Sequence, residues 1–453
     1  MRFIPHTPAD VQAMLQAIGL PDVEALFADI PAELRLKGQL NLPAALSEPE
    51  LISHLRAVSQ RNGHSPDYSL FLGAGAYHHY APPVVEEIIS REEFYTAYTP
   101  YQAELSQGTL QATFEYQTLI CQLTAMEVAN ASMYDGASAV AEAALMASRI
   151  LQRKKILASS ALHPEYLAVL RTYLKNLGME LQLVPWIDGD GTTSIQETER
   201  LVGQDVAALI LQSPNFFGCL EAGETFAKMA HVHGALLIAS LVEPTSLGVL
   251  KPPGEWDADI VAGEGQSFGN LLNFGGPYLG FFATREKFVR QMPGRLVGRT
   301  ADSQGRPGFV LALATREQHI RREKATSNIC TNEALCALAA TVHLCLLGPQ
   351  GLRELALLNL NKSHYAKEKI AGLSGFRLSF SAPTYNEFVV QMPKPVEKIN
   401  RKLRERGIIG GLDLGRFFPE MSDRCLFCVT EMNSREEIDR LLESLREITQ
   451  GGN

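Results

Sequence analysis

Between residues 136 and 262 the chain alternates segments of helical period with short apolar runs, and no other feature limits its fold as tightly. Helices are expected over 136–151, 163–178 and 223–233, and strands over 155–159, 180–184, 206–212, 235–239 and 260–262. The run Val-Ala-Ala-Leu-Ile-Leu-Gln at 206–212 is almost wholly apolar, as a parallel strand covered on both faces requires. Strands separated by helices of this length join through right-handed crossovers. The pattern therefore predicts an α/β fold with a mainly parallel, doubly wound sheet.

The flanking sequence follows other rules. Residues 1–65 read as a helical extension: Asp10 is placed to cap a helix over 11–18, Gly19-Leu20-Pro21 stops it, and a second helix spans 48–60. Residues 66–330 form the large α/β domain, which includes a long helix over 111–128. Residues 331–453 open on a helix over 331–347. Strands at 376–380, 387–391 and 425–430 and helices at 395–406 and 434–448 follow, which describes a smaller C-terminal α+β domain.

Composition excludes several roles. With 46% hydrophobic and 20% charged residues among 453, a sizeable core is expected. A net charge of -9 offers nothing to nucleic acid or an anionic membrane. No apolar run reaches the roughly 18 residues of a membrane span. The opening MRFIPHTPAD lacks the apolar core of a secretion signal. Seven scattered cysteines, an odd number, suit reduced thiols in the cytoplasm. Cys425 and Cys428 fall on an expected strand, facing opposite ways, with no second pair at zinc spacing, so no metal site is expected. His231 and His233 are read as structural.

The segment 94–117, FYTAYTPYQAELSQGTLQATFEYQ, groups Tyr95, Tyr98, Tyr101 and Tyr116 with Gln102, Glu104, Ser106, Gln107 and Gln111. Tyrosine joins apolar area to a polar tip, which suits interfaces and small polar ligands. A solvated turn before a helix explains the composition equally well. At this point the chain resembles a known family. This segment, with FLGAGAYHHYAPPVV (71–85), NASMYDGASAVAEA (130–143), SALHPEY (160–166) and REKATSNICT (322–331), is similar to glycine decarboxylase, the P-protein of the glycine cleavage system. More narrowly, it looks like subunit 1, the N-terminal-half subunit, of the two-subunit bacterial form.

The resemblance implies the fold-type-I architecture of pyridoxal-phosphate transferases, and the parts of such a site can be sought in turn. Gly136-Ala137-Ser138 opens a helix where a phosphate would sit, a vestigial phosphate loop on this reading. His163 stands where a ring could stack on pyridine, although capping serves equally. The pyridinium nitrogen needs a carboxylate at a strand end. Ser240 stands at that position and carries no charge. The aldehyde needs a lysine amine. Gln266, in DIVAGEGQSFGNLLNFGGP (259–277), occupies that position and cannot form the imine. Lys228, Lys251, Lys287 and Lys324 fall in helices, turns or charged runs, and none combines a strand end with a glycine turn.

The resemblance thus implies a subunit of glycine dehydrogenase (aminomethyl-transferring) that has no catalytic residue or cofactor of its own. A lysine-bearing subunit 2 would carry pyridoxal phosphate, and together they would decarboxylate glycine and transfer the aminomethyl group to the lipoyl arm of H-protein. Tyr95, Tyr98, Tyr101, Gln102, Glu104, Ser106 and Gln107 would face the partner's site. Two alternatives stand beside this reading: an autonomous pyridoxal-phosphate enzyme using another lysine, and a non-catalytic regulatory paralogue.

Overall fold

In the computed structural model, which describes residues 5–329 and 332–450, the alternating region forms a seven-stranded sheet. Its strands are β1 (Val128–Ala129), β2 (Lys155–Ser159), β3 (Glu180–Val184), β4 (Val206–Gln212), β5 (Leu236–Leu241), β6 (Ile260–Glu264) and β7 (Gly280–Thr284). They lie in the order β1-β7-β6-β5-β4-β2-β3. The fold is the α/β class expected, with the run from β6 to β3 parallel. β7 pairs antiparallel with both β1 and β6. All seven residues of β4 are buried, which explains their lack of alternation. The helix Gly136–Leu151 keeps its expected bounds and buries an alanine-rich face, Ala139, Val140, Ala143 and Ala147, against the sheet.

Other boundaries move for identifiable reasons. The helix expected over 111–128 runs Gln107–Thr124 and stops where Ala125 turns left-handed (φ 54°), which frees Val128 and Ala129 to join the sheet edge. The antiparallel hairpin Leu296–Ala301/Pro307–Ala312 was not expected. Two carboxamides clamp it to this helix: Gln117 pairs with the backbone of Val297, and Gln107 with that of Phe309.

The helix expected over 331–347 is seen from Ala334, Thr331 lying outside the described residues, and it continues to Ala371. Gly348 (φ 59°) breaks it in the middle. Pro349 then opens the second half, where its missing N–H is not needed. By length and composition this element could cross a membrane. Ala337, Ala340, Leu344 and Leu352, however, pack into the core beneath β4, β5 and β6, so it serves as a core helix.

A second sheet, in the order Arg377–Leu378, Glu387–Gln391, Arg424–Cys428, Leu412–Asp413, is antiparallel. The helices Val396–Arg404 and Arg435–Gln450 bury Val396, Ile399 and Leu403, and Leu441, Leu445 and Ile448, in its apolar core. Cys425 belongs to that core and Cys428 to the one around Gly136–Leu151, so the two thiols do face apart. Burial pushes both thiols well above the ordinary range.

The chain divides into two units, Met1–Asn62 and Gly63–Asn453. In the first, Thr7 rather than Asp10 caps the opening helix, Pro8–Ala17. Asp10 sits at the third helical position and returns the bond to the Thr7 backbone (2.7 Å), closing a capping box. Ser47 and Glu50 repeat the device at Glu48–Ser59.

Candidate functional site

Ligands of open α/β sheets bind beyond the carboxyl ends of the strands, and here those ends meet the first turn of Gly136–Leu151. The turn carries its own acids. Asp135 caps the helix by accepting from the Ser138 N–H at 2.7 Å. The Gly136 N–H donates to Glu264 Oε2 at 3.0 Å, and the other oxygen of Glu264 accepts from Leu279 N–H (2.9 Å) and Gln266 N–H (3.1 Å). Burial raises the Glu264 carboxyl to about 8, against the pull of these N–H donors. Gly136 is obligatory at this spot, because a Cβ would lie 2.0 Å from the Tyr166 hydroxyl. Ala137 and Ser138 are buried behind it.

Gln266, two residues past the end of β6, is only 2% exposed. Its carboxamide pairs with one peptide as a strand neighbour would. Tyr77 N–H donates to Oε1 at 2.9 Å, and Nε2 donates to Tyr77 O at 3.0 Å and to Asn270 O at 2.6 Å. Ser240 lies inside β5, which runs one residue beyond it, and its buried hydroxyl has no hydrogen-bond partner among the described residues.

The carboxylate near this strand end is Glu243. It accepts from Thr245 N–H, from the Thr245 and Ser267 hydroxyls, and from His79 Nε2 at 2.9 Å. The other nitrogen of His79 meets Glu431 Oε2 at 2.8 Å. Burial alone would lower the His79 imidazolium, but the two carboxylates outweigh it and raise it to about 10.

His163 caps the helix Pro164–Lys175 through Nδ1, which accepts from the Glu165 N–H, so its proton sits on Nε2 and is donated to Ala74 O at 2.9 Å. Burial holds this imidazole below its ordinary pKa and therefore neutral. Glu387 accepts from Ala74 N–H (2.7 Å) and from the Tyr77 hydroxyl (2.9 Å), and burial raises it to about 7.

The structure thus gathers Gly136 and Gln266 around Glu264, while Ser138 is paired with Asp135. The sequence reading missed Glu264, Glu243, His79, Glu387 and Glu431. The quoted stretch 71–85 contained His79, but its partners lie 164 and 352 residues away.

The tyrosine-rich segment divides into two groups. Tyr95 and Tyr98 are 68% and 71% exposed, and Gln102 and Glu104 are exposed too. Tyr101 is held from within. Its hydroxyl accepts from Arg295 at 3.1 Å, its ring lies under the same guanidinium, and Arg295 is itself paired with Glu317. Gln107 is committed to the hairpin, and Ser106 begins the helix without a side-chain cap bond.

Strand order and flanking helices define the fold-type-I class of pyridoxal-phosphate enzymes. A sphingosine-1-phosphate lyase from Burkholderia pseudomallei shares this fold at 14% identity, with TM-score 0.66 over 92% of this chain and 94% of that one. A closer likeness fixes the family. The family model of the glycine cleavage system P-protein matches residues 1–445. Proteins named probable glycine dehydrogenase (decarboxylating) subunit 1 from Desulfitobacterium hafniense and Moorella thermoacetica are each 53% identical over 448 residues, 99% of this chain and 100% of the relative. A crystal structure of glycine decarboxylase (P-protein) of the glycine cleavage system, in inhibitor-bound form, superposes with TM-score 0.89 at 45% identity, over 99% of this chain and 100% of that one. The chain belongs to the glycine cleavage system P-protein family.

Proposed function

We propose that this chain is the lysine-less subunit of a two-subunit glycine dehydrogenase (decarboxylating), acting in the cytoplasm. A partner subunit carries pyridoxal phosphate. The pair removes CO2 from glycine and passes the aminomethyl group to the lipoyl arm of H-protein. The observation that carries this reading is Gln266, a fully hydrogen-bonded carboxamide beyond the end of β6 where the resemblance implies an amine.

The residues around it do not fit a pyridoxal phosphate of this chain's own. The N–H groups at the helix start are already taken, Gly136 by Glu264 and Ser138 by Asp135, and are not free to hold a phosphate. The Ser240 hydroxyl cannot balance a pyridinium charge, and the nearby Glu243 is already paired with His79. No step is therefore assigned to a cofactor on this chain. Its contribution is the segment holding Tyr95, Tyr98, Tyr101, Gln102, Glu104, Ser106 and Gln107, turned toward the partner's site. Its phenol hydroxyls and amides suit a small carboxylate, and Arg295 fixes Tyr101 in place.

The test is reconstitution. The chain alone, incubated with pyridoxal phosphate and borohydride, is expected to yield no lysine adduct and no glycine–CO2 exchange. Exchange is expected once the partner and H-protein are added, and only when this chain is present. An adduct on the isolated chain would mean an autonomous enzyme, and exchange without this chain would reduce it to a regulatory role.

A further inference from the structure

We infer that this pocket is filled from within: the segment Leu72–Tyr80 and the carboxyl of Glu264 occupy the ring and phosphate subsites. The inference rests on the reading that Gln266 stands at the lysine position, and it goes further. Removing a lysine leaves an empty slot, whereas here the Gly136 N–H, the His163 imidazole and the Gln266 carboxamide each already have an internal partner. The Gly136 N–H is bonded to Glu264. His163 Nε2 is bonded to Ala74 O, and both edges of the Gln266 carboxamide are bonded to Tyr77.

The segment is anchored at Ala74 and from Tyr77 to His79. Glu387 holds Ala74 N–H and the Tyr77 hydroxyl, Thr430 Oγ1 donates to His78 O at 2.6 Å, and His79 bridges Glu243 and Glu431. Its glycines record how closely it lies. A Cβ on Gly73 would come within 2.5 Å of Glu387 Oε1 and 2.6 Å of Cys428 Cβ. One on Gly75 (φ +106°) would lie 2.9 Å from His163 Nε2. A strap that closes over the pocket only transiently would not require side-chain-free backbone against both walls, nor would it bury His79 between two carboxylates. Tyr77 and His79 anchor the segment in the core, and the pocket stays closed to a phosphorylated aldehyde even when an amine is supplied.

The decisive variant is Gln266→Lys in the full chain, soaked with pyridoxal phosphate, reduced with borohydride and mapped by peptide mass spectrometry. No adduct at position 266 is expected, and a stoichiometric adduct there would overturn the inference while leaving the proposed function intact. An adduct on the wild-type chain would instead sink the proposed function.

A second measurement needs no variant. Amide hydrogen exchange at Ala74 and Tyr77 should be as slow as in β5, and exchange as fast as in exposed loops would overturn the inference. A third uses inorganic phosphate as the probe. Glu264→Ala should acquire a saturable, phosphate-dependent rise in Tm that wild type and Glu264→Gln lack. An equal rise in wild type would show that the helix start is open and overturn the assignment.

Discussion

The pocket at the strand ends and the segment around Tyr95 use similar residues to opposite ends. In the pocket, Tyr77, Gln266 and Glu264 are buried and joined through the hydrogen bonds of Gln266, and buried His79 is bonded to Glu243 and Glu431. In the segment, Tyr95, Tyr98, Gln102 and Glu104 face outward, while Tyr101 and Gln107 tie the segment down from behind. The difference teaches that a site lost to catalysis need not become empty space. Polar groups left behind in a core must find partners, because each buried group without one costs about 1–3 kcal/mol. A surface that acts on a neighbour is under the opposite requirement and keeps its polar tips exposed.

The largest expected effect tests the closed half. His79→Ala leaves Glu243 and Glu431 without their shared cation and should lower stability by about 3–5 kcal/mol, read from the urea midpoint. A loss below about 1 kcal/mol would mean that the imidazolium adds little to the pocket.

Its pH signature follows with a definite sign. His79 is raised from 6.5 to about 10, so the folded state holds its proton more tightly than the unfolded chain. Its contribution is complete below about pH 6.5 and is lost as pH rises toward 10. Glu264, raised from 4.5 to about 8, acts in the same direction between those values. Tm should therefore fall from pH 6.5 to 10, and the fall above pH 8 should flatten in His79→Ala. A Tm that is constant across that range in the wild type would contradict the buried imidazolium.

Smaller effects sharpen the boundary between the two regions. Gln117→Ala strips a buried carboxamide from both sides of Val297 and should cost about 1–3 kcal/mol. Gln107→Ala, at the exposed end of the same helix, should cost about 1 kcal/mol or less. Equal losses would show that exposure does not separate them. Tyr95→Phe should change stability by less than about 0.5 kcal/mol while slowing glycine–CO2 exchange in the reconstituted pair. Unchanged kinetics would remove Tyr95 from the proposed surface.

Much of the frame was legible before the structure. The strands at 155–159, 180–184 and 206–212 and the helix 136–151 appear at their expected bounds. Each is a continuous run whose period is set by burial on the sheet. The hairpin 296–312 was missed although Leu296, Val297 and Phe309 to Ala312 are apolar, because the exposed stretch 299–307 between them breaks the alternation that marks a strand. The switch from Asp10 to Thr7 as the first cap shows a different limit. Both residues can cap, and only the backbone shows which one stands outside the helix.

The sequence by itself determined that the sheet is mostly parallel, that a glycine begins the helix at the pocket, and that residue 266 is a glutamine without an amine. These are properties of single residues and of local period. The tertiary structure alone decided that Glu264 answers the helix start, that Tyr77 fills both edges of Gln266, and that His79 joins Glu243 to Glu431. A hydrogen bond depends on position and direction within a few tenths of an ångström. Partners more than a hundred residues apart acquire that geometry only when the whole core has packed.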